Sequence, residues 1–316
     1  MAAKTKFPIR FFERLAAEYD LGRFIETKPF KRGYVQTNVL VRAAKGRFVL
    51  RYYEHRPEKY ILFEANILNH FSKHRYPCAM PIRNVHGDFL GSYKGKHYAV
   101  FEYLPGKHLK NLNKQQYHEM VKHLAKLHNI SRRYKPKYFE SRECHDRKCC
   151  IDAAKAEVKR FKSKKGQERY KYIRKRLDLL KFPNNLPKGV VHCDFDKANI
   201  KFIGNKITGV LDFDDACYTY LIYDVGMVIL YWAFFYPRKL DFAKAREIIR
   251  IYNKYRRLSK SEKEHIYDGL QIVMLMMMAW FLHDKWKGMD LFERLKKMLE
   301  KLDGIGRQKF YNKLFK

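Results

Sequence analysis

Residues Val190–Phe202 read VVHCDFDKANIKF, and between their two apolar ends the eight positions 192–199 hold His192, Asp194, Asp196, Lys197 and Asn199. Such polar density between strand-like runs needs a chemical reason. A carboxylate at 194 and an amide at 199, followed by a hairpin and a second carboxylate at Asp212, form the set that phosphoryl transfer uses: one carboxylate to orient a hydroxyl, and an amide with a second carboxylate to hold Mg2+. A loop after a strand lets Asp194 and Asn199 converge, and the hairpin returns Asp212 beside them. These oxygen donors suit Mg2+, with phosphate oxygens completing its shell. On this reading Asp194 is the base and Asn199 and Asp212 are the metal ligands. His192, at the end of an apolar strand, braces the loop by hydrogen bonding rather than reacting.

A bare H-x-D-x4-N is a weak signal, so its context decides. Upstream, a helical pattern over residues 10–19 closes at YDLG, and the chain then turns β-like. Two apolar-rich runs, Tyr34–Arg42 and Arg47–Tyr53, flank the turn AAKG and read as a hairpin. A periodic helix over Ile61–Lys73 follows, then a Pro-bounded loop at Tyr76–Pro81. A strand pair, Ile82–Val85 with Tyr98–Tyr103, closes around a glycine-rich turn. After the compact linker LPGK (Leu104–Lys107), helical periodicity dominates except for short strands at Gly189–Val191, Ile200–Ile203 and Ile207–Leu211. The expected fold is α+β and bilobal. A small antiparallel-sheet lobe spans residues 1–104, and a larger, mainly helical lobe spans 105–316.

The composition is that of a globular chain of 316 residues with 46% apolar content. Its 67 Lys and Arg against 33 Asp and Glu give a net charge of +34, which fits a solvated surface, an anionic ligand or a nucleic acid. Twelve of those cations, against three acidic residues, fall in Lys155–Lys181. A protein that binds RNA or another polyanion through this stretch is therefore the rival to an enzyme. The N-terminus lacks the order of a signal peptide, so a cytoplasmic location is expected. The longest apolar run, Leu270–Leu282, is thirteen residues against the ~20 that span a bilayer, and reads as a buried helix whose methionines fill the core. No membrane partner is expected. Six unevenly spaced cysteines argue for free thiols. Cys144, His145, Cys149 and Cys150 in ECHDRKCC are candidate zinc ligands, yet lack the paired C-x2-C spacing that wraps a tetrahedral ion.

Read as a whole, VVHCDFDKANIKFIGNKITGVLDFDDACYTYLIYDVG resembles the catalytic and metal-binding region of the aminoglycoside phosphotransferase and homoserine kinase superfamily. YDLG, GYVQTNVLV, GRFVLRYYEHR, YPCAMPI, FEYLPGK and LAKLHN resemble the homoserine kinase branch. The resemblance weakens over residues 130–180 and after 240. It implies a protein-kinase-like fold and transfer of phosphate from ATP to the hydroxyl of a small molecule. Homoserine is the best match, and an aminoglycoside, choline, methylthioribose or a sugar are the alternatives. By position, Asp194 resembles the catalytic-loop aspartate, Asn199 and Asp212 the metal ligands, and Asp224 an acidic residue supporting the helical lobe. Glu102 and Leu104 flank Tyr103 where backbone groups would hydrogen-bond adenine, and the turn around Gly33 would lie over the phosphates through its N–H groups. Lys197 is placed to reach the transferred phosphate. Arg51 stands where such kinases carry a lysine on the nucleotide phosphates, keeping the charge on a different head group, and Glu64 in the following helix is its expected partner. Asp214 occupies the glycine position of the D-F-G motif. With Asp215 it either contacts the substrate's amine or is a solvated loop residue.

Overall fold

The computed structural model describes residues 5–30, 35–142, 146–234, 236–283, 285–286 and 289–316. Gly33, Cys144 and His145 lie outside these residues. The chain forms two compact units: Met1–Leu109 with Pro136–Ser141 and Ile200–Leu211, and Lys110–Lys135 with Arg142–Asn199 and Asp212–Lys316.

In the first unit, α1 (Ile9–Glu18) turns Phe11, Phe12, Leu15 and Ala16 inward, the i, i+4 stripe of an amphipathic helix. That stripe packs on an antiparallel sheet of β1 (Phe24–Pro29), β2 (Thr37–Ala43), β3 (Gly46–Tyr52), β4 (Pro81–Ile82), β5 (Leu90–Tyr93) and β6 (Lys96–Glu102). The spatial order is β1-β2-β3-β6-β4, with β5 also paired to β6. β2 shows period-two burial, with Thr37, Val39, Val41 and Ala43 inside. The hairpin over β2 and β3 lies where its sequence places it. Two strands depart from the sequence expectation. β1 carries no strand signature in the sequence, because most positions of Phe24–Pro29 are exposed and the strand pairs on one edge only. Likewise the main partner of β6 around the turn is Leu90–Tyr93, whereas of Ile82–Val85 only Ile82 pairs, with Val100, beside Pro81↔Phe101 in β4.

Helix α2 (Glu58–Lys73) lies between β3 and β4 and buries Tyr60, Ile61, Phe63, Glu64, Ile67, Leu68 and Phe71. A short hairpin, β8 (Ile200–Ile203) with β9 (Lys206–Val210), also belongs to this unit through the bridges Cys78↔Val210 and Lys107↔Phe202. Gly106, at φ +108, makes the second bridge possible: a Cβ there would meet Thr208 Oγ1 at 2.5 Å and Phe202 O at 2.9 Å.

The second unit is mainly helical. α3 (Lys114–Ser131) opens with a capping box in which Asn113 and Gln116 satisfy each other's backbone N–H groups. α4 (Arg147–Phe161) and α5 (Lys164–Asp178) follow, then β7 (Lys188–Val191) pairs antiparallel with β10 (Cys217–Tyr220), a strand the sequence reading did not name. α6 (Ile222–Ala233), α7 (Phe242–Tyr255), α8 (Lys260–Glu264), α9 (Ile266–Trp280), α10 (Leu291–Ile305) and α11 (Arg307–Phe315) complete it. Met274, Met276 and Met278 of α9 are buried in the core. α6 and α9 meet through glycines: a Cβ on Gly226 would stand 2.5 Å from the Gly269 carbonyl oxygen. Part of the basic stretch is spent inside this unit. Arg169 pairs with Asp290 and Glu293, Arg176 with Asp303, and Lys165 with Asp290. Among the described residues, no helix is long and apolar enough to cross a membrane.

Candidate active site

The loop that leaves β7 is held by its backbone. His192 N–H and Cys193 N–H donate to Asp224 Oδ2 and Oδ1 at 2.7 and 2.8 Å. Cys193 sits at φ +66, a left-handed conformation that costs a side-chain-bearing residue ~1–3 kcal/mol unless its surroundings enforce it. The Asp224 carboxylate supplies that enforcement from the first turn of α6, fully buried. Behind it runs a chain of donors. Arg256, itself ion-paired to Glu262 at 2.8 Å, donates to Tyr252 Oη at 3.0 Å. Tyr252 O–H meets His128 Nδ1 at 2.5 Å, and His128 Nε2 lies 3.1 Å from Asp224 Oδ2. Burial holds the His128 imidazole below its ordinary pKa, favouring the neutral ring, which accepts at Nδ1 and donates at Nε2. For Asp224, burial alone would raise the pKa, but the hydrogen bonds from the His128 ring and the His192 N–H bring it below the usual carboxylate range.

Asp194 is gripped at both oxygens. Tyr231 O–H donates to Oδ1 at 2.9 Å, and Asn199 Nδ2 donates to Oδ2 at 2.8 Å and to the Asp194 carbonyl at 3.0 Å. The turn between them closes on itself through Asp196 N–H to Asp194 O, Ala198 N–H to Asp196 Oδ1, and Asn199 N–H to Asp196 O. Fully buried His192 packs its ring against Phe195 and Phe213, and its Nδ1 accepts from Asp194 N–H at 3.3 Å. Burial raises the Asp194 carboxyl above its ordinary value, with Asp212 adding to the rise. The hydrogen bonds from Tyr231 and Asn199 pull the other way.

Asp212 follows β9 at φ +64 and is solvent-exposed. With the Asn199 amide nitrogen committed to Asp194, its oxygen is the group left for a cation. An amide oxygen beside a carboxylate suits a hard divalent ion. Among the described residues, no three His, Cys, Asp or Glu side chains gather to hold a metal, so phosphate oxygens would have to complete the shell. Asp214 is buried and its carbonyl accepts from Arg142, while Asp215 is half-buried and its charge acts on Tyr231. Lys197 Nζ donates to the Lys110 carbonyl.

The residues assigned to the nucleotide lie in the first unit. Arg51, on β3, pairs with Glu64 of α2 at 3.1 Å, and Tyr53 O–H donates to the other Glu64 oxygen at 2.9 Å. At the end of β6, Glu102 N–H donates to Met80 O, and Leu104 O accepts from Lys201 at 2.7 Å.

Sequence reasoning assigned no role to Tyr231, His128, Tyr252 or Arg256. Tyr231 carried a faint signal, a polar group seven residues after Asp224 and therefore on the same helical face. The others carried none, because Tyr252 and Arg256 are joined to Asp224 through His128, whose contacts with Tyr252 and Asp224 span 124 and 96 residues of chain.

The pattern of the phosphotransferase enzyme family matches residues 26–258. Homoserine kinase from Bradyrhizobium diazoefficiens is 28% identical over 251 residues, covering 78% of this chain and 76% of that protein. Among solved structures, an amicoumacin kinase in complex with AMP-PNP, Ca2+ and Ami superposes with a TM-score of 0.70 at 17% identity, over 94% of both chains. A microcompartment-associated aminopropanol kinase gives a TM-score of 0.64 at 13% identity, over 98% of this chain and 99% of that one. At these identities the two structures establish a shared kinase-like fold.

Proposed function

The chain belongs to the phosphotransferase enzyme family, and from that premise we propose that it is a cytoplasmic kinase transferring the γ-phosphate of ATP to the hydroxyl of homoserine. Its class, small-molecule kinase, follows from the family. The finer reading is carried by one observation: Asp194 is oriented by two donors, one of them an Asn199 whose amide oxygen remains for a cation, with the Asp212 charge close by.

In this proposal residues 1–104 bind nucleotide and 105–316 supply catalysis and the acceptor site. Arg51, steadied by Glu64, holds the phosphates, while the Glu102 carbonyl and Leu104 N–H take the adenine. Asp194 orients the acceptor hydroxyl and takes its proton as the oxygen attacks phosphorus. Mg2+ held by Asn199 and Asp212 would supply charge neutralisation at the β- and γ-phosphates. His192 and Asp224 fix the loop. Lys197 reaches the transferred phosphate on release from the Lys110 carbonyl, and Asp214 or Asp215 meets the substrate's ammonium. Support for homoserine comes from the relatives that carry that name.

The test is ADP release with Mg-ATP and, in turn, homoserine, choline, methylthioribose and an aminoglycoside. Homoserine should give the highest kcat/KM, and Asp194→Asn should lower kcat by ~10²- to 10⁴-fold while the protein stays folded. Preference for another alcohol would replace the substrate, and near-normal turnover by Asp194→Asn would remove this residue from the mechanism.

A further inference from the structure

α6 serves the catalytic loop twice. Asp224 and Tyr231 are seven residues apart, about two turns, and so share one face of the helix. The first takes the loop's backbone N–H groups, and the second reaches the carboxylate that the loop displays. A carboxylate's last torsion is soft, with a broad well rather than a sharp rotamer. Asn199 fixes one oxygen but leaves the carboxylate plane free to swing about that contact. A second donor on the other oxygen removes that freedom. Tyr231 reaches Asp194 from a helix whose opposite face is set against α9, whereas Asn199 sits on the loop itself.

We propose that Tyr231 is a positioning residue for phosphoryl transfer, its hydroxyl locking the plane of the Asp194 carboxylate against the acceptor hydroxyl. The inference rests on the kinase reading above and adds a residue to it. Tyr231 does not touch the transferred group, and acts wholly through Asp194. Each carboxylate oxygen can accept more than one hydrogen bond, so the phenol and the acceptor hydroxyl are able to share Oδ1. The signature is therefore confined to turnover: misplacing a catalytic group by a fraction of an ångström slows chemistry, while distant binding contacts are untouched.

The experiment compares wild type, Tyr231→Phe, Asp194→Asn and the double variant, using the homoserine reaction or that of whichever alcohol the wild type prefers. Tyr231→Phe keeps the ring and its packing, so its urea midpoint should match wild type. Its kcat should fall roughly tenfold, with KM for Mg-ATP unchanged and KM for the acceptor within about twofold. In the Asp194→Asn background the same change should cost nothing further, because the group it positions is no longer active. Full kcat in Tyr231→Phe overturns the proposal, as does an equal loss in both backgrounds, which would place the effect in the fold. A wild type that phosphorylates no alcohol takes the kinase reading down along with this one. Normal wild-type turnover with an unaffected Tyr231→Phe takes down only this one.

Discussion

Replacing Asp224 by Asn tests the support beneath the catalytic loop. Three donors converge on this carboxylate: His192 N–H and His128 Nε2 on Oδ2, and Cys193 N–H on Oδ1. An amide offers one oxygen. Placed at the Oδ2 position it keeps two bonds and turns its NH2 against the Cys193 N–H, so one charge-assisted bond is lost and a buried donor is left unpaired. The lost bond is worth ~1.5–3 kcal/mol and the orphaned N–H ~1–3 kcal/mol, so about 4 kcal/mol of stability should go, before any weakening of the two bonds that remain. That is a large share of the ~5–15 kcal/mol that holds a typical protein folded. The left-handed Cys193 adjoins the broken contact, so turnover should fall even where the variant is fully folded. Urea unfolding followed by far-UV circular dichroism gives the stability, and steady-state kinetics well below the unfolding midpoint gives the rate. A midpoint loss under about 1 kcal/mol with m unchanged would show that the three bonds are not what fixes this loop.

Arg51→Ala should raise KM for Mg-ATP with a smaller effect on kcat, and Arg51→Lys should retain measurable activity; unchanged ATP kinetics in the alanine variant would detach Arg51 from the phosphates. Asp212→Ala should weaken Mg-dependent nucleotide binding, titrated calorimetrically, more than Asn199→Ala, since it removes a full charge. Acid should destabilise the fold in a defined window. His128 is held below its ordinary pKa by burial, and His123 likewise, so the unfolded chain binds the extra protons. Stability is then complete above the unfolded histidine value of ~6.5 and declines as pH falls below it. Urea midpoints from pH 8 to 5 should show this drop, and His128→Gln, though less stable throughout, should show a shallower one.

Much of the fold was legible because local pattern and global packing agree. An apolar-rich run marked β2, and AAKG marked its turn to β3. The thirteen-residue apolar run marked α9. β1 escaped because an edge strand with mostly exposed positions carries no alternation to detect. β10 escaped because Cys217–Tyr220 follows a dense run of carboxylates and pairs with a strand some thirty residues earlier. At the proposed site, Asp194, Asn199 and Asp212 stand out in the sequence because one loop and one hairpin carry all three, within nineteen consecutive positions. His128, Tyr252 and Arg256 were not, because they matter only through contacts made after α3, α6 and α7 have packed. Tyr231 lies between these cases: its spacing from Asp224 was visible, but the carboxylate it meets was not.

The glycine contact between α6 and α9 has a consequence for how this enzyme tolerates change. Gly226 is two residues from Asp224, about 200° around the helix, so the side of α6 opposite the catalytic loop abuts the Gly269 carbonyl. Side chains at a helix interface give way by changing rotamer, whereas a main-chain oxygen has no alternative position. The offset of α6 is therefore a hard stop rather than a spring. Even one methyl group at 226 would have to lift the helix by several tenths of an ångström, carrying the Asp224 and Tyr231 contacts with it. A lesion of a single carbon at 226 would thus reach the Asp194 carboxylate, through Asp224 and Tyr231, as an error of alignment.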